Sequence, residues 1–206
     1  MEIALKSLNQ SIKSCEECKD IRKYTFNCVL SKGDPQAPTM IIGEAPGREE
    51  TEQGIPFVGM AGKILNEALD LCAEANIHYN LYITNAVKCR PTIEGKKNRP
   101  PTCDEIVNCN VFLMREINIL RPRHIILLGA TAYKAITDNP ESYTPITKLV
   151  NEGCRVPQEN ISERIRCSSK VYVTYHPAAT IYNTGTKKAF LNSIVRILRK
   201  CDGTVV

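Results

Sequence analysis

Four short runs of branched apolar residues constrain this chain more than any other feature: TMIIG (39–43), LYITN (81–85), HIILLG (124–129) and VYVTY (171–175). Each is nearly continuous in apolar side chains, the pattern of parallel strands buried on both faces. Helical periodicity fills the intervals, over 62–76 (Ile64, Leu65, Ala68, Leu69, Cys72) and 104–120 (Ile106, Val107, Val111, Phe112, Met114, Ile117). A further helix over 187–200 places Phe190, Leu191, Ile194, Ile197 and Leu198 on one side. Alternating strand and helix predicts a three-layer α/β/α fold around a parallel sheet. At 206 residues the chain suits one core, so we read a single domain over 1–206, with the α/β core at 38–200. Residues 1–34 read as a helical appendage outside the sheet, and 91–101, basic and rich in proline, as an exposed loop. The prolines and polar residues of 137–163 suggest helix and loop without fixed boundaries.

Composition narrows the setting. No stretch reaches the roughly 18 apolar residues of a membrane span, and MEIALKSLNQ lacks the apolar region of a secretory signal. The expectation is an intracellular, cytoplasmic protein with no membrane partner. Lysine and arginine total 27 against 22 aspartates and glutamates, a net +5 that suits an anionic partner without naming one. Ten cysteines without a secretory signal point to metal or cluster ligation rather than disulfides. Cys15 and Cys18 form a CxxC, Cys89 sits in KCRP, and Cys103 and Cys109 follow. Cys28, Cys72, Cys154, Cys167 and Cys201 show no paired spacing and read as ordinary core or surface thiols. Four thiolates suit an iron-sulfur cluster or tetrahedral zinc equally.

Open α/β sheets bind ligands at the carboxyl ends of their strands. Here those ends lead into GEAPG (43–47), Asn85, GAT (129–131) and His176-Pro177, so a carboxylate, an amide and an imidazole converge on one edge. GEAPG turns tightly and lets its backbone, at Gly43 and Ala45, approach a ligand. Glu44 in it could position a water or face a cationic transition state; a plain βα turn with a solvated glutamate reads the same residues. Asn85 can donate and accept at once, as reading a base edge requires, and is otherwise a strand-end cap. His176 and Phe57 have structural readings too, as a core histidine and a loop anchor. As ligand-facing groups they would supply an imidazole and a ring that stacks on a planar base.

The ordered set IIGEAPGREE, GIPFVGMAGKIL, YITNAVKCRP, NRPP, LLGATA and YHPAA resembles the family-four, iron-sulfur uracil-DNA glycosylases, over about residues 12–200. The resemblance implies a four-stranded parallel sheet, an N-terminal helical segment that helps bind a 4Fe-4S cluster, and removal of uracil from single-stranded or mispaired DNA by base flipping. Position by position it makes Glu44 the catalytic carboxylate, Phe57 the stacking ring, Asn85 the reader of uracil's polar edge and His176 the donor to uracil O2. Glu50 would crowd the position of thymine's methyl. The cluster ligands become Cys15, Cys18, Cys89 and a fourth cysteine. Cys109, eleven residues after Asn98 of the NRPP motif, fits the family's helix better than Cys103. DNA contacts are expected from Arg99 in the basic loop, from Thr131 and Ala179, and from Ile181 and Tyr182, which stand where relatives carry leucine and arginine. Arg48 and Thr51 depart from acidic positions of the family. A single chain suffices for one such site, so a monomer is expected; a sliding-clamp contact is not readable from the sequence in either direction. Two rivals are a glycosylase for hypoxanthine or xanthine and a non-catalytic cluster protein that binds uracil-containing DNA. The first is opposed by Glu44, the second by Glu44, Asn85 and His176 occurring together and by the lack of an arginine-histidine insert in 70–81.

Overall fold

The computed structural model describes residues 1–25, 27–138, 144–181 and 183–202. Its strands are β1 (Lys32–Gly33), β2 (Thr39–Gly43), β3 (Leu81–Asn85), the hairpin β4 (Thr92–Ile93) and β5 (Lys97–Asn98), β6 (His124–Leu128) and β7 (Lys170–Thr174). The helices are α1 (Glu2–Lys13), α2 (Lys19–Arg22), α3 (Arg48–Gln53), α4 (Met60–Glu74), α5 (Cys103–Leu120), α6 (Gly129–Ala135), α7 (Ile146–Asn151) and α8 (Thr184–Asp202). The main sheet runs β1-β3-β2-β6-β7. β3, β2, β6 and β7 are mutually parallel, as expected, and β1 adds a short antiparallel edge on β3.

Strand alternation sends successive side chains to opposite faces, and each face has its own helices. Met40, Ile42, Ile125, Leu127, Val171 and Val173 pack with Leu113 and Ile117 of α5 on one side. Ile41, Ile83, Ile126, Leu128 and Tyr172 pack with Leu65 and Ala68 of α4 and Ile194 and Ile197 of α8 on the other. These strands are largely apolar because both faces are covered. A third apolar group joins Leu5, Leu8 and Ile12 of α1 to Ile21, Val87, Cys109 and Phe112, docking the N-terminal helices on α5.

Three differences from the sequence reading bear on the cleft. The first 34 residues are not wholly outside the sheet, since Lys32 and Gly33 pair with Ile83 and Tyr82. Gly33 lies at φ +100°, where a Cβ would meet the Leu81 carbonyl oxygen at 2.1 Å, so only glycine lets that edge close. The 91–101 segment folds into the β4–β5 hairpin rather than remaining a plain loop. Gly129, read as the last residue of a strand, instead opens α6 at φ +88°, and its missing side chain makes room for His176, whose Cβ a Gly129 Cβ would approach to 2.8 Å.

Candidate active site and cysteine cavity

At the carboxyl ends of β2, β3 and β7 a cleft of about 440 Å³ opens, lined by Glu44, Ala45, Glu50, Phe57, Asn85 and His176, with Arg48, Asn98, Arg99 and Ile181 among the residues of its wall. The register that opposes Gly43 to Asn85 puts the amide directly beside the GEAPG turn. A Cβ on Gly43 would fall 2.4 Å from Asn85 Oδ1 and 2.5 Å from the Phe57 ring, so this glycine lets amide and ring meet. Asn85 is 3% exposed. Its side-chain amide is therefore shielded from bulk water at the floor of a polar cleft.

Phe57 is buried at φ +54°, a left-handed conformation that a bulky residue adopts only when its surroundings enforce it. Glu50 supplies much of that enforcement. One carboxylate oxygen accepts the N–H groups of Val58 (3.1 Å) and Gly59 (2.8 Å), and the other accepts Gly47 N–H at 3.1 Å. Lys32 Nζ donates to the Phe57 carbonyl at 3.2 Å, so the edge strand β1 also braces this loop. Gly62 completes the seat, because a Cβ there would lie 2.2 Å from the same carbonyl oxygen. The Phe57 ring ends 6.4 Å from the imidazole of His176, tilted by 38°.

His176 Nδ1 accepts the N–H of Ala178 at 3.2 Å. That bond assigns the ring proton of the neutral imidazole to Nε2. Burial holds the His176 pKa below the ordinary histidine value, against the opposing pull of the Glu44 and Glu50 carboxylates. The ring is thus kept as a neutral donor. Across the cleft, Thr131 Oγ1 donates to Glu44 Oε2 at 2.5 Å and fixes that carboxylate.

Away from this cleft, Cys15, Cys18, Cys89 and Cys109 line a second, small cavity with Ile12, Ile21, Val87 and Phe112. The N–H of Lys88 points at Cys109 Sγ, 3.2 Å away. Burial pushes the Cys109 thiol up to about 11 and raises that of Cys18 as well. Cys103 is exposed at the start of α5 and does not line the cavity. Among the described residues, no group of three or more His, Cys, Asp or Glu side chains stands in an arrangement that holds a metal ion.

A model of the uracil DNA glycosylase superfamily matches residues 30–199 of this chain. The chain belongs to the uracil-DNA glycosylase superfamily. It is 37% identical over 188 residues to the type-4 uracil-DNA glycosylase of Sulfurisphaera tokodaii, covering 90% of this chain and 79% of that relative. The type-4 uracil-DNA glycosylase of Pyrobaculum aerophilum is 35% identical over 190 residues (90% of this chain, 89% of the relative). That of Archaeoglobus fulgidus is 34% identical over 200 residues, covering 96% and 94% of the two chains. The resemblance read from the motifs is thereby shown, and the sheet has the parallel architecture expected of the superfamily.

Within this uracil-DNA glycosylase fold, the expected residues separate into three groups. Glu44, Ala45, Glu50, Phe57, Asn85, His176, Arg99 and Ile181 line the cleft, with Gly43 beneath Asn85 and Phe57. Thr131, and Arg99 within the cleft group, are engaged differently from expectation. Thr131 is buried and spends its hydroxyl on Glu44, a positioning contact rather than a surface one. Arg99 lines the cleft, but its guanidinium is paired with Glu105 through bonds of 2.7 and 2.6 Å, which lessens its freedom to meet a phosphate. Ala179 is exposed in the turn after His176 but does not line the cleft, and Tyr182 lies outside the described residues. Two wall residues escaped the sequence reading. Asn98 is held by Arg90 Nε at 2.7 Å, and Arg48 reaches across to the Lys96 carbonyl at 3.3 Å. The NRPP motif named Asn98 only as a landmark, although an amide beside glycine- and proline-rich turns was a usable signal.

Proposed function

We propose that this chain flips uracil out of DNA and hydrolyses its N-glycosidic bond, releasing uracil and leaving an abasic site. The observation that carries this reading is the buried amide of Asn85 facing a cleft that also holds a neutral imidazole, an aromatic ring and a fixed carboxylate. Flipping costs a few kcal/mol of unstacking, recovered in part by stacking on Phe57 and by hydrogen bonds from Asn85 to the base edge. As the bond breaks, positive charge grows on the deoxyribose and negative charge on the departing base. His176 Nε2–H donates to uracil O2 where that negative charge appears, and Glu44 faces the sugar, holding the attacking water or the cation. Glu50 serves chiefly to fix Phe57, and in doing so stands where a methyl at C5 would fall. Arg48 at the rim meets the phosphate backbone.

The thiols of Cys15, Cys18, Cys89 and Cys109 fit a 4Fe-4S cluster: four sulfurs around one cavity, an apolar shell, and the Lys88 N–H on one sulfur. Held there, such a cluster would join the chain at α1 and α2 to α5 and to the segment after Asn85. The protein works as a single chain inside the cell, and among the described residues no helix is long and apolar enough to cross a membrane.

The test is a panel of labelled oligonucleotides carrying one uracil, thymine or hypoxanthine, single-stranded or paired, with alkali used to reveal abasic sites. Uracil alone should yield alkali-labile product. Equal cleavage at hypoxanthine would replace this reading with a broader deaminated-base enzyme, and no product from any uracil substrate would leave a binding protein.

A further inference from the structure

Beside the four cavity cysteines stands a fifth thiol that their assignment leaves without a task. Cys28 Sγ lies 3.2 Å from Cys89 Sγ, and it donates to the Ile12 carbonyl of α1 at 3.3 Å. Its backbone is pinned to the same segment, since Val29 N–H donates to the Lys88 carbonyl at 2.8 Å. It packs in the same apolar group as Cys15, Cys18 and Cys89. The other surplus cysteines stand elsewhere. Cys72 and Cys154 are buried in the core on the far face of the sheet, with Cys201 packed against it, Cys167 lies beside Ser169, and Cys103 is exposed.

We propose that Cys28 is a reserve ligand of the cluster site, able to take the iron position of Cys89. The inference rests on the cluster reading given above. The exchange involves no oxidation: the Cys28 thiol gives its proton to solvent, its sulfur bonds the iron, and the bond to Cys89 is broken or, in a variant lacking that thiol, absent. Because the Val29–Lys88 hydrogen bond holds the two segments side by side, the change needs side-chain movement and no refolding of the 86–89 segment.

Iron and acid-labile sulfide per chain, measured after anaerobic reconstitution, test this without reference to activity. Cys28→Ala should hold the wild-type complement, Cys89→Ala should keep most of it, and the double variant should lose it. A folded Cys89→Ala chain as empty as the double variant overturns the proposal. Wild-type protein that takes up neither iron nor sulfide overturns the cluster reading itself. If Cys89→Ala fails to fold, the wild-type chain decides. After iron chelation, diamide takes two electrons and two protons as two neighbouring thiols join, and peptide mapping should recover a Cys28–Cys89 disulfide. Pairs that all exclude Cys28 overturn the proposal.

Discussion

The cleft depends on single residues whose value lies in what they leave out or hold still. Gly43→Ala drives a methyl into Asn85 Oδ1 and the Phe57 ring. We expect the excision rate under single-turnover conditions to fall by about 10²-fold, the scale on which displaced catalytic groups cost, while far-ultraviolet circular dichroism stays that of the folded protein. His176 gives a pH prediction. Its pKa lies below the ordinary value because burial disfavours the imidazolium. The neutral donor therefore persists as pH falls through the usual histidine range, and the acid limb of kcat/KM should lie below about pH 6.5. The sign for stability is the same: the unfolded chain takes up the proton first, so this residue's contribution is whole above the unfolded value and is lost as pH drops toward the folded one. A rate profile collected across this range, in wild type and in His176→Gln, checks the assignment, and an acid limb above the ordinary histidine value in the wild type contradicts it. At this scale the sequence was informative where motif and backbone geometry coincide, as in GEAPG and Asn85, which meet at the cleft. It placed Thr131 at the DNA and missed its bond to Glu44, 87 residues distant along the chain.

At the scale of elements, the stretch after β3 links cleft and cysteines. Lys88 and Glu116 are buried to 2% and 1% exposure and meet at 2.7 Å, with Thr84 and Tyr82 also donating to the carboxylate. Asn85 lies just before this lysine, Cys89 just after it, and Cys109 shares α5 with Glu116. Lys88→Ala strips a fully buried carboxylate of its countercharge and should cost about 3–5 kcal/mol, read from urea unfolding. A loss below about 1 kcal/mol, the scale of an exposed pair, would show that the carboxylate is satisfied by its neutral donors. The four long strands were legible because burial on both faces makes them largely apolar. β1 was not, because Lys32–Gly33 has no apolar pattern and becomes a strand only through the closeness that Gly33 permits. The β4–β5 hairpin hid for the same reason: two residues a side, mostly polar, carry no periodicity.

Over the whole molecule, the N-terminal helices reach the α/β core through α5 and the apolar group around the cysteine cavity. The cluster proposed for Cys15, Cys18, Cys89 and Cys109 would tie these parts together. Anaerobic removal of iron should lower Tm by about 5 °C or more, a shift of a few kcal/mol for a chain of this size. An unchanged Tm in protein whose iron was verified before and after would detach the cysteines from stability. The preference for Cys109 over Cys103 came only by resemblance, since spacing after Cys89 admits both; in the structure Cys109 is buried at the cavity and Cys103 is exposed. The reading that unites cleft, cysteines and kinship is that Asn85 and His176 act on uracil in DNA. The most direct measurement is single-turnover release of uracil from a labelled oligonucleotide by wild type, Asn85→Ala and His176→Ala, each with its DNA affinity determined. Wild type should release uracil, and each variant should be slower by about 10²–10³-fold with binding retained. Variants that release uracil as fast as wild type would contradict it and place the chemistry elsewhere in the molecule.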